Sequence, residues 1–100
     1  MTEKLIIQVD RDLEDLMPLF MDTRKRDMEG LAKGLASNDL AALRVIGHGM
    51  KGSGGAFGFQ FVTDIGDIIE ASALKSDAAT IKQQFTVLRD YMARVEVQYI

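Results

Sequence analysis

The sequence contains no cysteine and only one histidine. Without thiols there is no disulfide framework, no thiol nucleophile and no thiolate metal site, and a single imidazole cannot build a histidine-rich metal centre. No apolar run approaches the roughly 20 residues a helix needs to cross a bilayer. Leu5-Ile6-Ile7 is too short for the apolar segment of a signal peptide and has no cleavage-like site after it, so a cytoplasmic location is expected. Positive charge is also scarce: 12 Lys and Arg stand against 15 Asp and Glu, a net charge of −3, which argues against nucleic acid as the main partner. The one basic run, Arg24-Lys25-Arg26, is flanked by Asp22 and Asp27 and reads as a solvated helix face. No repeat, long linker or low-complexity tract divides the chain, so residues 1–100 are expected to form one domain.

What is present is an ordinary globular composition, 47% hydrophobic and 27% charged. Residues 4–9 could be a short extended lead-in, with nothing later that reads as a partner strand. Asp10 or Asp12 can cap a short first helix through Asp15-Leu16-Met17. Pro18 either suits the first turn of a longer helix or marks a kink within one. Phe20, Arg24, Met28, Leu31 and Leu35 then form a mostly apolar face and predict a helix over about 18–36. Ser37-Asn38-Asp39 is a breaker and cap cluster before a second helix that opens at Leu40 and ends near Gly58. A third helix spans about 61–74, with Phe61, Val62, Ile65, Ile68 and Ile69 inside and Thr63, Asp67 and Glu70 on its other side. Ile81, Phe85, Leu88, Met92, Val95 and Tyr99 alternate steps of four and three and predict a fourth. The expected fold is all-α: an antiparallel up-down-up-down four-helix bundle with a short N-terminal extension, monomeric because its apolar faces satisfy one another.

The second helix carries the unusual feature. Five of the nine glycines fall between Gly47 and Gly55, around His48. Each glycine costs roughly 1 kcal/mol against alanine in a helix, yet Leu43, Ile46, Met50, Ser53 and Phe57 keep helical spacing straight through them. That phase turns His48 towards solvent, with Arg44 one turn before it and Lys51, Gly52 and Gly55 beyond. A helix that gives up stability beside an exposed imidazole gains access to it.

Several chemistries fit this stretch poorly. Gly47-His-Gly49-Met-Lys-Gly52 matches a dinucleotide fingerprint, and Glu70 lies near the distance of its acidic residue, but the surroundings are helical where that motif needs a strand. Lys51-Gly52-Ser53 reverses the order a phosphate loop requires. Ser53 faces inward, away from His48, and is a poor nucleophile for triad chemistry. Phosphoryl acceptance fits better. Imidazole, with an ordinary pKa of about 6.5, is a good nucleophile towards phosphorus when neutral. A cation one turn away, Lys51, could stabilise the anionic product, and a carboxylate on the next helix, Glu70, could fix the tautomer.

His48-Gly-Met-Lys51-Gly52-Ser-Gly-Gly55-Ala-Phe57-Gly58 resembles the phosphoacceptor signature of histidine-containing phosphotransfer (HPt) domains. Phe57-Gly58-Phe59 together with Glu70 is similar to the phosphotransfer domain of chemotaxis histidine kinases. The resemblance implies a four-helix bundle whose histidine exchanges a phosphoryl group with aspartates of response-regulator receiver domains or a sensor histidine kinase. It implies His48 as phosphoacceptor, Lys51 as the phosphoryl-stabilising cation, Glu70 as a partner of the ring, and Arg44, Gly52 and Gly55 as the docking surface. Gly47 and Gly49 depart from it, standing where the family usually has bulkier residues. No ATP-binding kinase domain, metal or other cofactor is expected on this chain, and the Mg²⁺ that transfer needs is expected on the receiver. The competing reading is a phosphorylation-independent binding module that docks a partner through the glycine-cleared face.

Overall fold

Aspartates set where three of the helical elements begin. In the computed structural model, which describes residues 3–100, Asp10 accepts a hydrogen bond from the Asp12 amide at 2.9 Å and opens a 3₁₀ segment, Arg11–Leu16. Asp39 caps α2 (Leu40–Ser53) through the Ala42 amide at 3.1 Å, and Asp77 caps α4 (Ala78–Arg94) through the Thr80 amide at 3.1 Å. Each carboxylate satisfies a backbone donor that the first turn leaves unpaired. Helix α1 (Met17–Ser37) holds Pro18 in its first turn, where the missing N–H costs nothing, so the proline starts this helix and does not kink it. Asn38, in the left-handed conformation at φ 52°, ends it. Helix α3 (Gln60–Leu74) follows a 3₁₀ turn, Gly55–Phe57.

Leu31, Leu43, Met50, Ile69, Ile81 and Leu88 are fully buried and hold the four helices around one core. The α2–α3 contact is the most extensive, α1 packs on α2 and α4, and α3 packs on α4. The radius of gyration is 13.5 Å, close to the value of about 13 Å for a compact chain of this length.

Four expectations are corrected. The fourth helix stops at Arg94, and Val95–Tyr99 is a strand, β2, not a continuation of the helix. It pairs in parallel with β1 (Leu5–Val9), Leu5 opposite Val95 and Val9 opposite Tyr99, so the lead-in does have a partner. Val95 and Tyr99 are four apart and continue a helical stripe, but with Val97 they also alternate, and the half-buried face 95, 97, 99 follows the strand period. The Arg94 guanidinium donates to the Glu3 carbonyl at 2.6 Å, and the Ile100 amide to the Val9 carbonyl at 3.0 Å, which joins the two ends of the chain.

The second helix ends at Ser53, before Gly58. Gly58 adopts φ +84°, where its missing Cβ also avoids the Gln8 carbonyl, and the Phe59 amide closes the turn on Gly54. Finally, the basic run is not wholly solvated. Arg24 is only 3% exposed, donates to Ser53 Oγ at 2.8 Å, lies over the Phe20 ring and meets Asp27 at 2.9 Å. Lys25 and Arg26 do face water.

Candidate functional site

His48 lies on the outward side of α2, its side chain 76% exposed, while Leu43, Gly47 and Met50 turn inward. Across from it on α3, Glu70 is mostly covered, at 18%. The two helices come unusually close here. A Cβ placed on Gly47 would stand 2.8 Å from the Glu70 backbone nitrogen and 3.0 Å from the Gly66 carbonyl, so only glycine permits this separation. The approach brings His48 Nδ1 to 2.7 Å from Glu70 Oε2. With a carboxylate as acceptor, Nδ1 carries the proton and Nε2 keeps its lone pair. Among the described residues Nε2 has no hydrogen-bond partner.

Lys51 projects from the next turn of α2 towards the same helix. Its Nζ is 3.1 Å from Asp67 Oδ1 and 3.5 Å from Glu70 Oε1, so the two carboxylates, the ammonium and the imidazole form one continuous polar chain. The hydrogen bond from His48, working against partial burial, holds the Glu70 carboxyl below its ordinary range, and electrostatic attraction to His48 and Lys51 adds to this. Asp67, first by hydrogen bond and then by charge, raises the Lys51 ammonium above its usual value, with Glu70 contributing less.

Arg44 and Val45 border the depression beside His48 and Glu70, and Val45 is 69% exposed. Gly49 and Gly52 face open space: nothing lies within 4 Å of where a Cβ would stand on either. Gly55 sits elsewhere, in the turn beyond the end of α2, where its amide donates to Thr63 Oγ1 at 2.9 Å. His48, Lys51 and Glu70 are thus brought together, Arg44 and Gly52 flank them, and Gly55 stands apart from the helical strip. Sequence reasoning placed Asp67 on the outer side of the third helix without assigning it to the site, and did not single out Val45. For Asp67 the available signal was its position three residues before Glu70 on the same polar face. No group of three or more His, Cys, Asp or Glu side chains among the described residues is arranged to hold a metal ion.

The family model described as the Hpt domain matches residues 15–98 of the chain. No curated protein and no solved structure matches it.

Proposed function

The chain belongs to the Hpt domain family, whose members are phosphotransfer modules of two-component phosphorelays, and on that premise we propose that His48 accepts a phosphoryl group and exchanges it with receiver-domain aspartates. The observation that carries this reading is the 2.7 Å contact between His48 Nδ1 and Glu70 Oε2 on an otherwise exposed ring. It supports Nε2 as the attacking atom.

In the proposed step the Nε2 lone pair forms an N–P bond as the P–O bond to the donor aspartate breaks, and the electron pair of that bond leaves with the aspartyl carboxylate. No proton need move. The ring retains its Nδ1 proton and gains positive charge, which the Glu70 carboxylate compensates. Lys51 and Arg44 supply cations for the anionic phosphoryl oxygens. Mg²⁺ would be held by the receiver's own carboxylates, and this chain contributes positioning and charge, not ATP chemistry. Val45, Gly49 and Gly52 would leave a low, partly apolar surface on which a receiver can bring its aspartate in line with Nε2. We read the helices as an up-down-up-down bundle. Close approaches of Gly30 to Ile46 and Gly34 to Leu43, and of Gly47 to Ile69 and Gly54 to Thr63, support opposite directions for α1 and α2 and for α2 and α3. No described helix is long and apolar enough to cross a membrane. A cytoplasmic, monomeric relay partner fits this reading.

The test is transfer of radiolabel from a phosphorylated receiver domain. The expected product is an acid-labile, base-stable adduct on this protein that disappears in His48→Gln. Label that persists in His48→Gln would defeat the assignment, and no label from any receiver or kinase would favour a phosphorylation-independent docking role.

A further inference from the structure

We infer that Asp67 is a positioning residue that holds Lys51 on the α3 side of the site and thereby competes with a phosphoryl group on His48 for its ammonium. The inference rests on the proposed phosphoacceptor role of His48 and adds to it a residue that sets how long the phosphohistidine survives. The geometry is specific. Glu70 grips the imidazole at Nδ1, and the Lys51 ammonium lies 3.5 Å from the second oxygen of that same carboxylate and 3.1 Å from Asp67. The ammonium is therefore drawn to the Nδ1 side of the ring. The phosphoryl group would sit on Nε2, the far side, so Lys51 must release Asp67 before it can neutralise phosphoryl charge.

Exchange is feasible because the pair is exposed, Lys51 at 47% and Asp67 at 61%, and pairs of this kind are weak and screened by salt. Glu70 is a lesser competitor. Its carboxylate is committed to His48 at the shorter distance, and the transfer chemistry requires it there. Asp67 touches neither the ring nor, in the proposed pose, the phosphoryl group, so its effect is exerted through Lys51. Arg44, the other cation beside His48, has no carboxylate partner among the described residues and is not restrained in this way. A phosphohistidine on this chain would thus be less well compensated than its lysine alone implies, which favours passing the group on over storing it.

The experiment loads the full chain with phosphoramidate, a small donor that phosphorylates imidazole, and follows the adduct by ³¹P NMR and intact mass after the donor is removed. Four proteins are compared: the natural chain, Asp67→Asn, Lys51→Met and the double variant, each checked for unchanged helicity. Asp67→Asn should lengthen the phosphohistidine lifetime by roughly two- to fivefold, the range expected from freeing one exposed ion-pair partner. In the Lys51→Met background the same substitution should have no effect, and that non-additivity assigns the action to the lysine. High salt should narrow the difference between Asp67→Asn and the natural chain. An unchanged lifetime in Asp67→Asn, with the natural chain phosphorylated at His48, overturns the inference and leaves the phosphoacceptor reading intact. A gain that persists undiminished without Lys51 also overturns it, since simple charge repulsion then suffices. Failure of the natural chain to take phosphoryl at His48 from this donor or from any receiver overturns both.

Discussion

His48 Nδ1 and Glu70 Oε2 meet at 2.7 Å across a helix pair that Gly47 and Gly66 allow to touch through their backbones. The contact joins residues 22 positions apart, so the tautomer of the one imidazole depends on the packing of α2 against α3. On the proposed reading, the nitrogen left free to attack is selected by a tertiary contact, not by the local sequence around the histidine.

Glu70→Ala should leave the bundle folded and slow phosphorylation of His48 by roughly ten- to a hundredfold, the equivalent of losing a hydrogen bond to a charged group. The pH dependence has a definite sign. The folded carboxyl titrates below its ordinary 4.5, so its favourable contribution is complete above 4.5 and is lost as pH falls through the depressed value. A ¹³C titration of the Glu70 carboxyl should find the midpoint below 4.5 and moving back up in His48→Phe. A midpoint that ignores the histidine substitution would separate the two groups in solution.

The glycines divide into two kinds that should respond oppositely to alanine. At Gly47 a methyl group would meet the Glu70 nitrogen at 2.8 Å and Ile69 Cγ2 at 2.9 Å. Overpacking typically costs about 1–3 kcal/mol, against a helix-propensity gain of roughly 1 kcal/mol, so Gly47→Ala should be neutral to destabilising and should separate His48 from Glu70. Gly49→Ala and Gly52→Ala meet nothing within 4 Å and should gain up to about 1 kcal/mol each. Urea unfolding distinguishes the two kinds. Gly52→Gln adds a functional arm: it should impair transfer from a receiver domain while leaving phosphorylation by phosphoramidate unchanged. Equal loss with both donors would mean that Gly52 does not clear a docking face.

Much of this arrangement could be read from helical phase. Leu43, Ile46 and Met50 fix which side of α2 is inside, and with it the exposure of His48, while Glu70 stands out as a carboxylate on the polar side of the next helix. The Lys51–Asp67 pair could not be read, because a lysine one turn from a histidine has several carboxylates within reach and only the packed helices choose among them. Arg24 carried two conflicting signals. Its spacing with Phe20, Met28 and Leu31 placed it on the buried face, whereas its charged neighbours suggested water. Its partner Ser53, 29 residues away, resolves the conflict and has no local signature.

Arg24 should accordingly be structural. Its guanidinium is 3% exposed and faces Asp27, whose carboxyl is raised by burial despite the lowering effect of Arg24. Their atoms meet at 2.9 Å but not in hydrogen-bond alignment, so the contact is chiefly one of charge. Arg24→Ala leaves that carboxylate uncompensated and should cost about 3–5 kcal/mol. Arg24→Met combined with Asp27→Leu should recover most of the loss, because no buried charge then remains. For Asp27 the sign opposes that of Glu70: a raised folded pKa favours the protonated form, so its ionisation weakens the fold as pH rises through that value. Denaturant midpoints of the three proteins at pH 7 measure the effect, and an Arg24→Ala variant as stable as the natural chain would show that the arginine is not buried in solution.

The two-stranded sheet gives the most direct check on the end of α4. Parallel pairs are rarely stable alone, and this one depends on its inner face, where Val9 is 1% exposed and Val95, Val97 and Tyr99 pack against the core. Val9→Ala removes two buried carbons and should cost about 1.5–2.5 kcal/mol. It should also loosen a strand 86 or more residues distant in sequence, because β2 has no described strand partner other than β1. Backbone ¹³C shifts should be strand-like over 95–99 in the natural chain, and amide exchange there should accelerate in Val9→Ala more than in α2. Helical shifts continuing to Tyr99 would restore the longer fourth helix. Protection unchanged by Val9→Ala would mean that the two ends of the chain are not coupled. If they are coupled, destabilisation at β1 should reach the last turn of α4 through β2, while the His48–Glu70 contact, held by the α2–α3 glycine pair, should survive it.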